Sequence, residues 1–179
     1  LLNNHNHFIS CSMGISIYPR DDTVPDGLIG KADMAMYRAK KMGKNNFQFY
    51  SEELERLALH QLEFEHNLRY AITNGQIDIY LQPEILVSSG TIVAAEALAR
   101  WFRPDGTMIP PAQFIPVAEQ ANLISDIGRI VFAKVCAEIA RWKLQGINNI
   151  TVAINLSAHE FKDADLANNI QNKLMEYDV

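Results

Sequence analysis

Two apolar runs, "TIVAAEALARW" (residues 91–101) and "ITVAINLS" (residues 150–157), constrain this chain more than any other feature. Each has the length of a strand, and one long amphipathic region separates them. That region, from Pro111 to Gly146, carries Phe114, Val117, Leu123, Ile127, Val131, Val135, Ile139 and Trp142 at helical intervals. A second helical segment, "AHEFKDADLANNIQNKLMEY", follows "ITVAINLS". Strand, helix, strand, helix in that order predicts βα units on a parallel sheet, hence the α/β class. The nearly continuous apolar character of "ITVAINLS" predicts a strand buried on both faces. One further strand, "QIDIYLQPEIL", precedes these units and joins them through the turn "VSSG".

The first fifty residues follow a different pattern. In "FISCSMGISIY" (residues 8–18) Ile9, Cys11, Met13, Ile15 and Ile17 share one face, with Ser10, Ser12, Gly14 and Ser16 on the other. A period of two predicts a half-buried strand, ended by Pro19. Leu28, Ala32, Ala35, Met36 and Ala39 then form a helical stripe, with Gly43 as its C-cap signal and Lys40 and Lys41 near the negative end of the dipole. "NNFQFY" predicts a short strand. Residues 51–73 predict a connector helix with Leu54, Leu57, Phe64, Leu68 and Ile72 on its seam, stopped at Asn74-Gly75. Its heptad-like spacing suits either packing on its own domain or an interdomain or homodimer contact.

Charge and composition narrow the partners. The net charge of −5 argues against a DNA or RNA binder, which would be basic, but leaves room for a nucleotide ligand held by a few local cations. Cys11 and Cys136 are far apart in apolar settings and predict buried thiols without a disulfide or zinc spacing. No apolar stretch reaches the ~20 residues of a membrane span, and the opening "LLNNHNHFIS" lacks a signal-peptide pattern, so a cytoplasmic setting is expected. An upstream anchor remains compatible with this.

Candidate chemistry gathers where strand ends converge. Glu96 stands in an otherwise apolar run, where an ionised carboxylate is costly unless paired or coordinated. Glu96 and Asn155 both stand near strand ends and offer hard oxygens suited to Mg²⁺ or Mn²⁺. The plainer alternatives are a salt bridge from Glu96 to Arg100, and a turn or cap role for Asn155. Gln82 adjoins Pro83, which places it at a strand end or edge. Arg100 suits either a salt bridge or a phosphate fork. Lys40, Lys41 and Lys44 cluster where a helix ends, either solvated or facing a phosphate. His5 and His7 lack a supporting motif, and His60, His66 and His159 are isolated.

Several longer stretches carry a family resemblance. "SCSMGISIYP" and "ADMAMYRAKKMGKNNFQFY" resemble the C-terminal third of a GGDEF (diguanylate cyclase) domain. From about Phe64 onward, "LRYAITNGQIDIYLQP", "EALARW", "PAQFIPVAEQANLI" and "VAINLS" resemble the N-terminal half of an EAL domain. The resemblance implies residues 1–50 as the end of a GGDEF-like domain, 51–63 as a connector, and 64–179 as the first part of a modified TIM (β/α)8 barrel. It implies hydrolysis of cyclic di-GMP to linear pGpG with Mg²⁺ or Mn²⁺. Matched by motif, Glu96 is a catalytic metal ligand and Asn155 a second metal ligand. Gln82, Leu98 and Arg100 contact the dinucleotide, and Lys40 and Lys44 contact GTP phosphates in the cyclase-like part. Two cations about 4 Å apart can activate a water and stabilise charge in an in-line phosphodiester displacement.

Departures from the family pattern set further expectations. The chain has no GGDEF signature, and it ends at Val179 before the EAL family's further metal-binding glutamate, aspartate pair and catalytic lysine. A full barrel takes about 250 residues and eight strands. The chain is therefore expected to be a segment of a longer protein, inactive alone and incomplete as a barrel. A catalytically degenerate cyclic di-GMP receptor and a bifunctional cyclase/phosphodiesterase are the alternatives.

Overall fold

The computed structural model describes residues 10–158 and 160–179. Phe8 and Ile9 of the first expected strand, His5, His7 and His159 lie outside the described residues. The chain divides into two compact units, Leu1–Phe64 and Glu65–Val179.

In the first unit, β1 (Met13–Ile15), α1 (Pro25–Lys41) and β2 (Phe47–Phe49) form a βαβ turn of chain. β1 and β2 pair in parallel with Gly14 opposite Gln48. The expected alanine stripe is the buried face of α1, with Ala35 and Ala39 fully inaccessible. β1 corrects the sequence reading twice. The strand is shorter than the alternation suggested, and its faces are reversed. Met13 is 51% exposed, whereas the Gly14 face meets the helix. A Cβ on Gly14 would stand 1.8 Å from the Ala32 carbonyl oxygen and 2.3 Å from the Met36 nitrogen. Ser16 Oγ also donates to the Leu28 carbonyl at 2.8 Å. Only a face without side-chain bulk lets the α1 backbone come so close. Cys11 is exposed rather than buried.

α2 (Glu52–Thr73) is the helix expected over residues 51–73, and the division between the units falls within it, after Phe64. Its start is fixed within the first unit. Ser51 Oγ accepts from the Leu54 N–H at 3.2 Å, the Tyr50 hydroxyl donates to the Glu55 carboxylate, and Lys31 Nζ lies 5.2 Å from the Tyr50 ring centre.

The second unit is built on a four-stranded mixed sheet. β3 (Ile77–Leu86) and β4 (Thr91–Phe102) form a long antiparallel hairpin, closed by the expected turn at Val87–Gly90. β5 (Met108–Ile109) pairs antiparallel with the end of β4, and β6 (Thr151–Ile154) pairs parallel with its first half. The predicted βα unit is therefore present as β4 and β6, with helices between them. The single long helical region is two helices, α3 (Pro111–Gln120) and α4 (Ile124–Leu144). Asn122 breaks them with a left-handed φ of 56°, and the Leu123 N–H closes the turn on the Ala118 carbonyl at 2.7 Å. A short 3₁₀ turn (Glu160–Lys162) and α5 (Leu166–Tyr177) end the chain.

The core of this unit lies on one face of β4. Ala95, Ala97 and Trp101 are buried there, and Trp101 meets Phe114 edge-on at 6.1 Å. Leu68, Ile77, Ile127, Val131, Val135 and Cys136 complete it, and burial pushes the Cys136 thiol pKa up. β6 is not buried on both faces as its apolar run suggested. Val152 and Ile154 are half-buried while Thr151 and Ala153 are exposed. α4 packs on β6, whereas the Ala153 face is the more open face that Glu96 shares through the β4–β6 register.

Candidate functional site

Alternation along β4 separates its alanines from its polar residues. With Ala95, Ala97 and Trp101 committed to the core, Glu96, Leu98 and Arg100 stand on the opposite face, each half-buried. The antiparallel register sets Gln82 directly across from Glu96, and Tyr80 across from Leu98. Pro83 beside Gln82 is accommodated because β3 is an edge strand, as its sequence required. The parallel register sets Ala153 on the other side of Glu96. Asn155 follows two residues later, just past the end of β6, on the same side of the pleat.

Glu96 sits in the middle of β4 rather than at its carboxyl end, because the hairpin with β3 carries the strand on to Phe102. Relative to the parallel ladder, however, Glu96 is near the end, since pairing with β6 stops at Ala97 and Ile154. This arrangement brings Asn155 and Glu96 together across 59 residues of sequence. Asn155 Nδ2 donates to Glu96 Oε1 at 2.7 Å. The salt bridge from Glu96 to Arg100 considered from sequence is not how Arg100 is held. Its Nη1 donates to the Ala99 carbonyl at 2.9 Å, and its Cζ lies 5.1 Å from the Tyr80 ring centre.

One carboxylate and one amide fit a hard divalent cation in donor chemistry. Among the described residues no group of three or more His, Cys, Asp or Glu gathers around a common point. Glu96 and Asn155 would each offer one hard oxygen to a bound cation.

Two features of the site went unread in the sequence. Tyr80 stands two residues before Gln82, so the period of two was the available signal. Ser157 and Glu160 form a reciprocal capping box behind Asn155. The Ser157 N–H and Oγ both reach Glu160 Oε2, at 2.8 and 2.7 Å, and the Glu160 N–H returns to Ser157 Oγ at 3.2 Å. The signal was the S-x-x-E spacing itself. In the first unit, Lys40 and Lys44 are exposed at and just beyond the end of α1, and Lys41 Nζ lies 5.1 Å from the Tyr37 ring centre. His60 and His66 are carried on α2, outside this site.

Comparison with known proteins follows the same division. The family model for the EAL domain matches residues 65–179, and that for the diguanylate cyclase GGDEF domain matches residues 1–46. The bifunctional diguanylate cyclase/cyclic di-GMP phosphodiesterase MucR of Pseudomonas aeruginosa is 35% identical over 99% of this chain. The cyclic di-GMP phosphodiesterase PdeR of Escherichia coli is 36% identical over 94% of it. This chain spans about a quarter of each, 26% and 25% of their lengths. A solved structure of the PaMucR phosphodiesterase in complex with c-di-GMP superposes with a TM-score of 0.62 at 34% identity, covering 65% of this chain and 47% of that one.

Proposed function

This chain belongs to the EAL domain family, and from that premise we propose that it is part of a cyclic di-GMP phosphodiesterase that releases linear pGpG with Mg²⁺ or Mn²⁺. The observation that carries the reading is the contact between Asn155 and Glu96, on the sheet face that also presents Gln82, Leu98 and Arg100. In this reading residues 1–50 belong to the GGDEF-like part, 51–63 to the connector and 64–179 to the EAL-like part.

Glu96 and Asn155 would hold the cation through their oxygens. When bound, a divalent cation supplies charge stabilisation at a phosphodiester and lowers the pKa of a water. The Nδ2 bond fixes the rotamers of Asn155 and Glu96 relative to each other, so both oxygen-bearing groups are ordered before a ligand arrives. The Arg100 guanidinium has donors for phosphate oxygens beyond the one given to Ala99. Gln82, across from Glu96, offers an amide to the polar edges of the dinucleotide, and Leu98 gives it an apolar contact.

The test is to incubate the full-length protein that carries this chain with cyclic di-GMP and Mg²⁺ or Mn²⁺, and to separate the products chromatographically. Linear pGpG is expected. Tight binding without product, across varied metal and pH, would replace hydrolysis by a receptor role. For the GGDEF-like part we propose that Lys40 and Lys44 meet GTP phosphates. Conversion of GTP to cyclic di-GMP by the same protein would make it bifunctional.

A further inference from the structure

The candidate face carries an aromatic side chain that the proposed reaction does not use. Tyr80 is 52% exposed on β3, one cross-strand step from Leu98 and diagonal to Arg100. Its ring meets two neighbours on β4. The Arg100 Cζ lies over the ring, 5.1 Å from its centre, and the Phe102 ring centre lies at 5.9 Å, tilted by 46°. All three side chains belong to the face that presents Glu96 and Gln82, by the alternation of β4 and its register with β3.

A free arginine on a strand samples many rotamers and loses them on binding. Here the Nη1 bond to the Ala99 carbonyl fixes one point of the guanidinium, and the Tyr80 ring limits where the group can sit. Phe102 in turn limits the tilt of the ring. We propose that Tyr80 is a positioning residue, whose ring holds the Arg100 guanidinium oriented for an anionic phosphate on the Glu96 face. The role belongs to the π face rather than the hydroxyl, because the attraction is between the cation and the ring quadrupole. It rests on the reading of this face as a cyclic dinucleotide site.

The experiment is a double-mutant cycle on the full-length protein, reading the Kd for cyclic di-GMP by calorimetric titration and, where there is turnover, KM and kcat separately. Tyr80→Leu is expected to weaken binding about two- to fivefold, the scale of an exposed cation–π contact, with kcat unchanged. Tyr80→Phe is expected to bind as the wild type does. In an Arg100→Ala background, Tyr80→Leu should have no further effect on Kd. An equal loss from Tyr80→Leu in both backgrounds, or a wild-type Kd for Tyr80→Leu, would overturn the positioning role. A wild-type Kd for Arg100→Ala would instead overturn the dinucleotide reading of the whole face. Thermal unfolding of each variant identifies losses that arise from the fold.

Discussion

Replacing Gly128 by alanine should destabilise the second unit, although alanine is the better helix former. Gly128 lies within α4, and a Cβ there would stand 2.0 Å from Glu160 Oε1 and 3.0 Å from its Cδ. Oε1 would have to retreat by about 1.5 Å to restore a van der Waals separation of about 3.5 Å, and although Oε2 at 3.4 Å is clear of the Cβ, the planar carboxylate turns as one group. That movement breaks the bonds that Glu160 Oε2 accepts from the Ser157 N–H and Oγ, at 2.8 and 2.7 Å. Hydrogen bonds to a charged group are worth about 1.5–3 kcal/mol each at full burial; here, half-buried, the two together cost about 2–3 kcal/mol. The helix gains about 0.5–1 kcal/mol from glycine to alanine. The expected net loss is about 1–2.5 kcal/mol, read by denaturant unfolding of the full-length protein. The decisive arm is Glu160→Ala, which removes the obstacle. In that background Gly128→Ala should stabilise by about 0.5–1 kcal/mol. A Gly128→Ala change that stabilises the wild type, or that destabilises the Glu160→Ala variant, would refute the steric argument. Because Ser157 stands two residues past Asn155, the same change at Gly128 should also weaken the cyclic di-GMP hydrolysis proposed for the full-length protein.

With Glu96 as the proposed metal ligand, Glu96→Ala should lower the proposed hydrolysis about a hundredfold or more, since even outer-shell losses at metal sites cost about 10- to 100-fold; retained turnover in a cyclic di-GMP assay would remove its assignment. Gly14→Ala should cost about 1–3 kcal/mol, because its Cβ meets backbone atoms of α1 that no side-chain rotation can move; limited proteolysis of the first unit should accelerate. The Glu55 carboxylate, which accepts from the Tyr50 hydroxyl, pushes the Tyr50 pKa up to about 12. Its folded value lies above that of an unfolded tyrosine, near 10. Stability from this bond is therefore present below about pH 10 and lost as the pH rises toward about 12. Tyr50→Phe should unfold more readily than wild type at about pH 9, with the difference closing by about pH 12.

Much of the fold was legible because its signals are local. The alanine stripe of α1, the helix of α2 with its Asn74-Gly75 stop and the β3–β4 turn follow from short-range pattern, and the parallel sense of β4 and β6 from the order of strands and helices. The break at Asn122 was also written locally, as an asparagine at a helix end, but a continuous apolar stripe masked it. What misled was burial. In β1 the apolar alternation suggested the wrong inward face, because close approach to α1 selected glycine and serine over isoleucine. In β6 an apolar composition suggested two covered faces, although cover depends on which elements pack above and below.

The site divides along the same line. The residue types were set by sequence alone: a carboxylate in an apolar run, an asparagine closing a strand, a glutamine beside a proline, and the family resemblance that ties them to one chemistry. Their proximity was decided by the tertiary structure. Glu96 and Asn155 meet only because β4 and β6 pair in one parallel register, and a slip of one residue would turn Asn155 to the opposite face. Likewise, Arg100 lies over Tyr80 rather than pairing with Glu96, because the hairpin register places an aromatic ring diagonally across from it. Side-chain chemistry is a property of each position, whereas partnership is a property of register, and register is settled by long-range pairing that no short stretch of sequence contains.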